Sequence, residues 1–228
     1  MCGRFAAGDM TQAQMLAIMQ RFLYGVEVGS DENATTGYNI KPTNPVFAIC
    51  NENGSNKLVS ARWWFVPNWH KGDVKEWKQT TFNALIETAF KEPTFRKAWN
   101  SHRCVIPAVG YYEWTGSMEN KLPNYVTLDR NEPFIYFAGL HSTLSDGTKT
   151  CAILTREAEP EISDIHHRMP VILNKEQIKG WMTHATNDEH VIANYGCEWT
   201  NRFLAHRVAK FGIKDDGPEL IEPDGLAF

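Results

Sequence analysis

The stretch RCVIPAVGYYEW, from Arg103 to Trp114, decides the fold class predicted for this chain of 228 residues. Its first part, Arg103–Val109, is apolar and rich in β-branched side chains, which is typical of a strand. Gly110 ends this run, and Glu113 follows between aromatic residues. A carboxylate among aromatic side chains is partly removed from water, which raises its pKa toward neutrality and suits general acid–base catalysis. The stretch therefore predicts a strand that leads into a candidate site.

Similar runs on both sides of this stretch predict an α+β protein with a largely antiparallel sheet and a few flanking helices. Length and the lack of an obvious linker favour one domain over residues 1–228, with an irregular Gly- and Pro-rich tail from about residue 215. The predicted strands are Val46–Cys50, Leu58–Val66, Tyr125–Leu128, Phe134–Leu140, Cys151–Thr155 and Val171–Leu173. The predicted helices are Thr11–Tyr24, Pro93–Asn100, Lys175–Met182 and Asn187–Gly196.

Composition limits the classes of function that fit the chain. The net charge of −4 provides no overall positive field, so any contact with DNA must rest on a local patch. Five scattered cysteines without a CxxC pair argue against both a disulfide scaffold and a structural zinc site. No apolar run is long enough to span a membrane, and the N-terminus does not read as a signal peptide. These features predict a cytoplasmic protein with reduced thiols.

Cys2 is the most reactive group that the sequence offers. Removal of Met1 would leave Cys2 with a thiol and a free α-amine on adjacent carbons. Both groups titrate within about two pH units of neutrality, so both are partly reactive there. An aldehyde can form an imine with the amine, and the thiol can then close a five-membered thiazolidine. The structural alternative is an incidental cysteine in a frayed terminus.

Two further segments place polar residues among apolar ones. Asn83 lies within Thr80–Ala84, and His166 lies within Ser163–Pro170, just before a predicted strand. A histidine at a strand entrance can transfer protons near neutral pH. Each residue also has a structural interpretation, Asn83 as a turn or helix cap and His166 as half of a surface pair with His167.

The aromatic and acidic candidates likewise allow two interpretations. Glu113 is either an acid–base group or a solvated residue that faces outward from a strand. The run Trp63-Trp64-Phe65 and the nearby Trp69 belong either to the core or to a surface on which DNA bases stack.

In combination, these segments resemble the SOS-response-associated peptidase family, also called the abasic-site processing or thiol-autopeptidase family. The resemblance extends from residue 1 to about residue 210, and the matching segments occur in the order of the family. They are Met1–Phe5, Tyr38–Thr43, Trp63–Trp69, Phe82–Thr88, Arg103–Trp114 and Ile165–Leu173.

The resemblance implies a fold and a chemistry. The fold is a curved, barrel-like antiparallel sheet, and the partner is single-stranded DNA, or a single-strand/duplex junction, that carries an abasic site. Cys2 is the implied nucleophile, Asn83 orients it and the sugar, Glu113 is the acid–base carboxylate, and His166 assists imine chemistry and reversal. The peptidase label implies removal of residues ahead of Cys2, and a Schiff-base lyase character is also implied.

The DNA interface is predicted in outline only. Two arginines flank the proposed site in sequence and can hold phosphates bidentately, and Trp69 can stack on a base beside the missing one. The resemblance implies a monomer without cofactor or metal, associated with the nucleoid on damage. The predicted DNA-contacting residues are Arg4, Asn39, Pro42, Trp69, Thr155 and Arg168.

Two departures from the family pattern bear on DNA binding. Leu85 stands where the family commonly has an arginine that contacts phosphate, and Trp64 stands where it usually has glycine. The missing arginine and the negative net charge predict weak, salt-sensitive binding to undamaged DNA. Two other functions stay open at this stage: a cysteine peptidase that acts on other proteins, and a non-catalytic DNA-damage binding module that retains Met1.

Overall fold

The structure, a computed structural model, describes residues 2–22, 25–29, 34–117, 119–129, 133–183 and 202–225. Its α-helices are α1 (Gln12–Phe22), α2 (Arg96–Ser101) and α3 (Lys175–Met182), and short 3-10 helices occupy Val74–Glu76 and Pro218–Ile221. The strands are β1 (Phe5–Ala6), β2 (Val26–Val28), β3 (Pro45–Glu52), β4 (Ser55–Trp63), β5 (Asn83–Leu85), β6 (Arg103–Ala108), β7 (Gly110–Thr115), β8 (Leu122–Leu128), β9 (Ile135–Thr143), β10 (Lys149–Glu157), β11 (Arg168–Pro170), β12 (Ile172–Leu173) and β13 (Phe203–Arg207).

The larger sheet contains a closed ring of strands. Hydrogen bonds run from β10 to β4, β3, β6 and β9, and β9 then pairs with β10 again. Strands β2, β5, β11 and β12 extend the sheet from this ring. Among the described strands, β10 with β4, β10 with β5 and β2 with β4 pair in parallel, and the other pairs are antiparallel. The predicted α+β class with a curved, mainly antiparallel sheet is confirmed.

The two faces of the ring bury different parts of the chain. One face packs against the helices, through residues such as Met19 of α1, Trp99 of α2 and Trp181 of α3. The other face packs against Cys2 and Phe5. Because successive residues of a strand point to opposite sides, both faces are apolar along the central strands. This explains why these strands appear in the sequence as continuous apolar runs.

The stretch from Arg103 to Trp114 carries the chain from one sheet to the other. β6 belongs to the ring, and β7 belongs to a second antiparallel sheet in the order β1-β7-β8-β13. At the junction, Tyr125 Oη and Thr127 Oγ1 donate to Val109 O at 2.9 and 2.7 Å. A Cβ on Gly110 would lie 2.4 Å from the Tyr125 ring, so only glycine fits this bend.

The predicted helices differ from the observed ones mainly at their starts. α1 begins at Gln12 with Thr11 and Gln14 in mutual hydrogen bonds, and α3 matches its prediction with an Asn174 capping box. The prediction that Pro93 opens a helix is wrong, because residues 93–95 form turns and α2 starts at Arg96. The predicted helix Asn187–Gly196 lies outside the described residues. None of the helices in the described part of the chain has the length and apolar character needed to cross a bilayer.

Candidate active site at the N-terminal cysteine

Cys2 is a fixed and buried residue. Its side chain is fully excluded from solvent, and its Sγ lies 3.6 Å from Arg4 O. The backbone of Phe5, three residues on, exchanges hydrogen bonds of 3.1 and 2.9 Å with Ile40. The Phe5 ring packs edge-on against Trp63 at 5.1 Å between centroids. The alternative of a frayed terminal cysteine is therefore wrong for this chain.

Asn83 contacts Cys2 directly. It starts β5, which pairs in parallel with β10 and places Asn83 beside Ile153. The Asn83 side-chain amide donates to Cys2 O at 2.8 Å. The preceding Phe82 O accepts from Trp63 Nε1 at 2.8 Å, which fixes the backbone at this point. Asn83 is thus a strand residue that holds the N-terminal segment, and its interpretation as a turn or helix cap is wrong.

Glu113 lies inside the protein on β7 and only 5% of its surface is exposed. Burial disfavours the carboxylate and raises the pKa of Glu113 to about 7. Burial also raises the pKa of the Cys2 thiol, and the negative charge of Glu113 raises it further. The outward-facing alternative for Glu113 is therefore wrong. At neutral pH the site combines a protonated thiol with a carboxyl group that is close to its own titration point.

His166 faces the same pocket as Glu113. The two side chains line it together with Tyr111 and Arg168. Arg168 N lies 2.9 Å from His166 Nδ1. His166 Nδ1 also lies 3.1 Å from Arg168 O, so it either accepts from the N–H or donates to the carbonyl, depending on the tautomer. Partial burial lowers the pKa of His166, which keeps the imidazole neutral near pH 7.

Arg4 is held in place by Asn39 and by the C-terminal part of the chain. Arg4 Nη1 donates to Asn39 Oδ1 at 2.6 Å, and its guanidinium lies 5.9 Å from the centre of the Phe211 ring. Asn39 is itself buried, and its amide donates to Gly212 O at 3.0 Å and to Asp215 O. Asn39 therefore positions Arg4, and the tail from residue 211 contributes to this unit.

Arg168 is engaged in an ion pair. Its guanidinium donates twice to the Glu87 carboxylate at 2.8 Å, and Nη2 also donates to Thr155 O at 2.8 Å. This contact lowers the pKa of Glu87, although burial opposes it. Thr155 is fully buried, so its connection to a bound phosphate would run through Arg168. Glu87 was part of a matching segment, but nothing in the sequence alone signalled that it pairs with Arg168.

The remaining predicted DNA contacts lie apart from this pocket. Trp69 is 54% exposed and lines a different groove with Lys97 and His102. Its ring packs edge-on against Trp77 at 5.5 Å. Pro42 is half-buried in a turn that precedes β3. The core interpretation is correct for Trp63, whereas Trp69 presents a large aromatic surface to solvent.

The comparison with known proteins agrees with this geometry. The profile of the SOS response associated peptidase (SRAP) family matches residues 1–210. The chain belongs to the SRAP family. It is 32% identical over 194 residues to "Abasic site processing protein YoqW" of Bacillus subtilis, covering 81% of this chain and 85% of that protein. It is 29% identical over 230 residues to "Abasic site processing protein YedK" of Escherichia coli, covering 98% and 100%.

Solved structures share the fold of this SRAP chain. A crystal structure of a protein from Bacteroides thetaiotaomicron superimposes with a TM-score of 0.79. That likeness covers 97% of this chain and 99% of the other, at 21% sequence identity. Among the residues that the structure describes, no three His, Cys, Asp or Glu side chains form a group that could hold a metal ion.

The structure accommodates both departures from the SRAP pattern. Trp64 Nε1 donates to Gln79 O at 3.1 Å, and its ring packs at a tilt on Phe82 at 5.5 Å. Leu85 is 40% exposed at the end of β5, opposite Thr155 of β10. The extra Trp therefore supports the residue before Asn83, while the leucine leaves an apolar side chain at the surface near the Glu87–Arg168 pair.

Proposed function

We propose that this protein processes abasic sites in DNA and that Cys2, after removal of Met1, forms a covalent thiazolidine with the ring-opened sugar. The observation that carries the proposal is the hydrogen bond from Asn83 to Cys2 O, next to a Glu113 carboxyl that is close enough to raise the pKa of the Cys2 thiol. Relatives named as abasic site processing proteins over most of their length support the same role.

The proposed reaction has two steps with balanced atoms. The α-amine of Cys2 attacks the C1 aldehyde of the open sugar, and loss of one water leaves an imine. The Cys2 sulfur then bonds to the imine carbon, and the imine nitrogen gains a proton. The product ring removes the aldehyde, so β-elimination and strand breakage stop.

Glu113 and His166 supply the proton transfers in this scheme. Cys2 holds a neutral thiol, so its proton must leave as sulfur attacks, and the neighbouring Glu113 carboxylate is the acceptor. In its protonated form Glu113 donates to the hydroxyl that leaves as water. His166, which is held by its contacts with the Arg168 backbone, transfers protons at the sugar oxygens. A carboxyl pKa near 7 populates both forms of Glu113 at neutral pH, which suits this double task.

Asn83 contributes position. Its amide nitrogen holds Cys2 O, and its Oδ1 is buried with no hydrogen-bond partner among the described residues. An unpaired buried acceptor is costly, so a donor from the substrate or from the freed α-amine would stabilise the complex. This fixes the amine, the thiol and the sugar relative to one another.

The proposed DNA partner is single-stranded DNA or a single-strand/duplex junction. Arg168 is a half-buried cation in the wall of the pocket, Arg4 is a half-buried cation two residues from Cys2, and exposed Trp69 offers a stacking surface for a base. To bind a phosphate, the Arg168 guanidinium must either leave the Glu87 carboxylate or contact both groups at once. With a net charge of −4, binding depends on these local groups.

An adduct assay tests the proposal. The protein is incubated with single-stranded DNA that carries one abasic site, and denaturing gels report a heat-stable band of lower mobility. We expect wild type to form the band and Cys2→Ala to lose it. Cys151→Ala is the matched control, because Cys151 is an equally buried thiol in the ring and should crosslink normally.

Intact mass separates the other functions. Loss of Met1 together with an adduct fits the proposal. Retained Met1 with DNA binding and no adduct would instead indicate a non-catalytic binding module. Cleavage of added peptides that depends on Cys2, without an adduct, would indicate a peptidase that acts on other proteins. A band of undiminished intensity with Cys2→Ala would refute the role of this residue.

A further inference from the structure

A second group of thiols lies inside the strand ring, in the same apolar cluster as Cys2. Cys50, Cys104 and Cys151 come from β3, β6 and β10, and all three are fully buried in the same apolar cluster. They are far apart in sequence, and the ring brings them together. The proposed abasic-site chemistry uses none of them.

Cys50 and Cys104 directly face each other. They are paired residues in the antiparallel register of β3 and β6. Paired residues of antiparallel strands have Cα atoms about 4.5 to 5.5 Å apart, which falls inside the range that a disulfide spans. A disulfide between them therefore requires little movement of the backbone.

Gly139 makes the space for this pair. It is the β9 residue opposite Cys104, and a Cβ at this position would lie 2.9 Å from Cys104 Sγ. His141 is two residues further along the same strand and therefore on the same face. Its imidazole lies close enough to Cys50 for the two groups to shift each other's pKa values.

His141 also connects the pair to the surface. It forms part of the wall of the groove that contains Trp69, and its ring packs edge-on against His102 at 5.2 Å. His102 is half-buried and borders the same groove. His141 therefore belongs both to the wall of this groove and to the surroundings of Cys50.

The charges around Cys50 favour a reactive thiolate. The hydrogen bond from Cys104 lowers the pKa of Cys50, and so does the facing His141, against the effects of burial and Glu52. Burial alone would lower the pKa of His141, but Cys50 and Glu52 raise it. The pKa values of Cys104 and Cys151 are raised by burial. Cys50 is thus the thiol of this group that interacts with an imidazole, that of His141.

We propose that Cys50 is a second nucleophilic thiol of this protein and that, with Cys104, it forms a cross-strand disulfide when a peroxide oxidises it. The Cys50 sulfur attacks one peroxide oxygen, the O–O bond breaks, and the second oxygen leaves with a proton as water or alcohol. The Cys104 sulfur then displaces the hydroxyl of the Cys50 sulfenic acid as a second water. The two sulfurs are oxidised and the peroxide is reduced. The site is independent of the function proposed for Cys2.

Oxidation of the folded protein tests this proposal. The background is Cys2→Ala with Cys197→Ala, which removes the N-terminal thiol and the cysteine outside the described residues. Hydrogen peroxide is added to the folded protein, and non-reducing peptide mapping locates the disulfide. We expect a Cys50–Cys104 linkage with Cys151 still reduced. A linkage that appears only after unfolding in urea, or one that involves Cys151, would overturn the proposal.

Two further variants separate the steps. In Cys104→Ala, the sulfenic acid on Cys50 has no resolving thiol, so a dimedone probe should label Cys50 in the folded state. In His141→Gln, disulfide formation should slow about tenfold, because a protonated neighbour no longer stabilises the thiolate. Cys151→Ala is the matched control and should oxidise at the unaltered rate. Equal rates in the His141 variant and the control would contradict activation by His141.

Discussion

Cys2 and Cys50 are both excluded from water, but the groups beside them act on the two thiols in opposite directions. Burial and the nearby Glu113 carboxyl raise the pKa of Cys2, so it is held as a thiol. A hydrogen bond from Cys104 and the adjacent His141 lower the pKa of Cys50, which favours a thiolate. Burial alone therefore does not determine the reactivity of a cysteine in this fold; the nearest ionisable partner does.

The difference fits the two chemistries. Ring closure at Cys2 needs a proton donor and acceptor beside the sulfur, because a proton is transferred in each step. The proposed attack of Cys50 on a peroxide requires the sulfur to be a thiolate before the reaction and the second peroxide oxygen to leave. In the two proposals, the Glu113 carboxyl transfers the proton beside Cys2, and the His141 imidazole stabilises the thiolate of Cys50.

Glu113→Gln removes the charge that faces Cys2, and it is the substitution with the largest expected effect on this comparison. We expect the crosslinking rate with abasic DNA to fall about 100-fold, because an amide neither accepts nor donates the proton. Wild type should lose rate as the pH falls below about 7, where Glu113 becomes protonated, and the variant should keep only the loss that protonation of the Cys2 α-amine causes. Single-turnover rates from pH 5 to 9 measure both effects. A variant that keeps the wild-type pH profile would contradict the role of Glu113.

The same substitution should stabilise the fold at alkaline pH. Burial raises the pKa of Glu113 from 4.5 to about 7, so the folded state binds a proton more tightly than the unfolded state. The contribution of Glu113 to the free energy of unfolding is then greatest below pH 4.5. It falls as the pH rises through about 7, by roughly 3 kcal/mol at most. We expect Glu113→Gln to recover about 2 kcal/mol at pH 8 and almost nothing at pH 4.

Urea unfolding at the two pH values measures this difference. Glu87→Gln is a useful control, because Arg168 lowers the pKa of Glu87 and that substitution should destabilise the protein at pH 8. Opposite signs for the two variants at pH 8 would separate a carboxyl kept for chemistry from one kept for structure.

Asn83→Ala should have a smaller effect on the reaction. It leaves the charges around Cys2 intact and removes only the hydrogen bond to Cys2 O. We expect crosslinking to slow about tenfold, since misplacement of a nucleophile costs rate even when its chemistry is unaltered. Asn51→Ala, which removes two side-chain hydrogen bonds in the β3–β4 hairpin, is the matched control and should leave the rate unchanged. An Asn83 variant with full activity would show that β1 alone positions Cys2.

The sequence predicts the strands of the ring well, because their apolar runs are long and rich in β-branched residues. It misses β2, β5 and β13, which are short and exist through pairing with β4, β10 and β8. No periodicity is readable over three to five residues, so only the folded partner strand defines such segments. The start of α2 is misplaced for a related reason, since Pro93 suits a turn as well as a first helical turn.

The candidate site, like the fold, is predicted only in part from the sequence. Cys2, Asn83, Glu113 and His166 are identified from the resemblance, and the structure brings Asn83 and Glu113 to Cys2. The contacts that hold these residues in place cannot be predicted from the sequence. Asn39 contacts residues more than 170 positions away, and Cys50 meets Cys104 only through strand register. Such contacts need the folded chain.

Leu85→Arg provides the smallest expected change and concerns DNA rather than the thiol. Leu85 is 40% exposed near the Glu87–Arg168 pair, at the position where the family pattern has an arginine. A new cation there should raise affinity for single-stranded DNA a few-fold at low salt. It should also steepen the slope of log K against log salt by roughly 0.7, the value for one more phosphate contact on a single strand.

Leu204→Arg is the matched control for this substitution. Leu204 is 41% exposed on β13, which belongs to the second sheet, so it adds the same charge to a similar surface at a different place. If the two variants steepened the salt dependence equally, the gain would reflect net charge alone. A larger change at residue 85, with the crosslinking rate at saturating DNA unaltered, would show that this edge of the pocket contacts phosphate. It would also show that the charges around Cys2 act on chemistry and those around residue 85 act on binding.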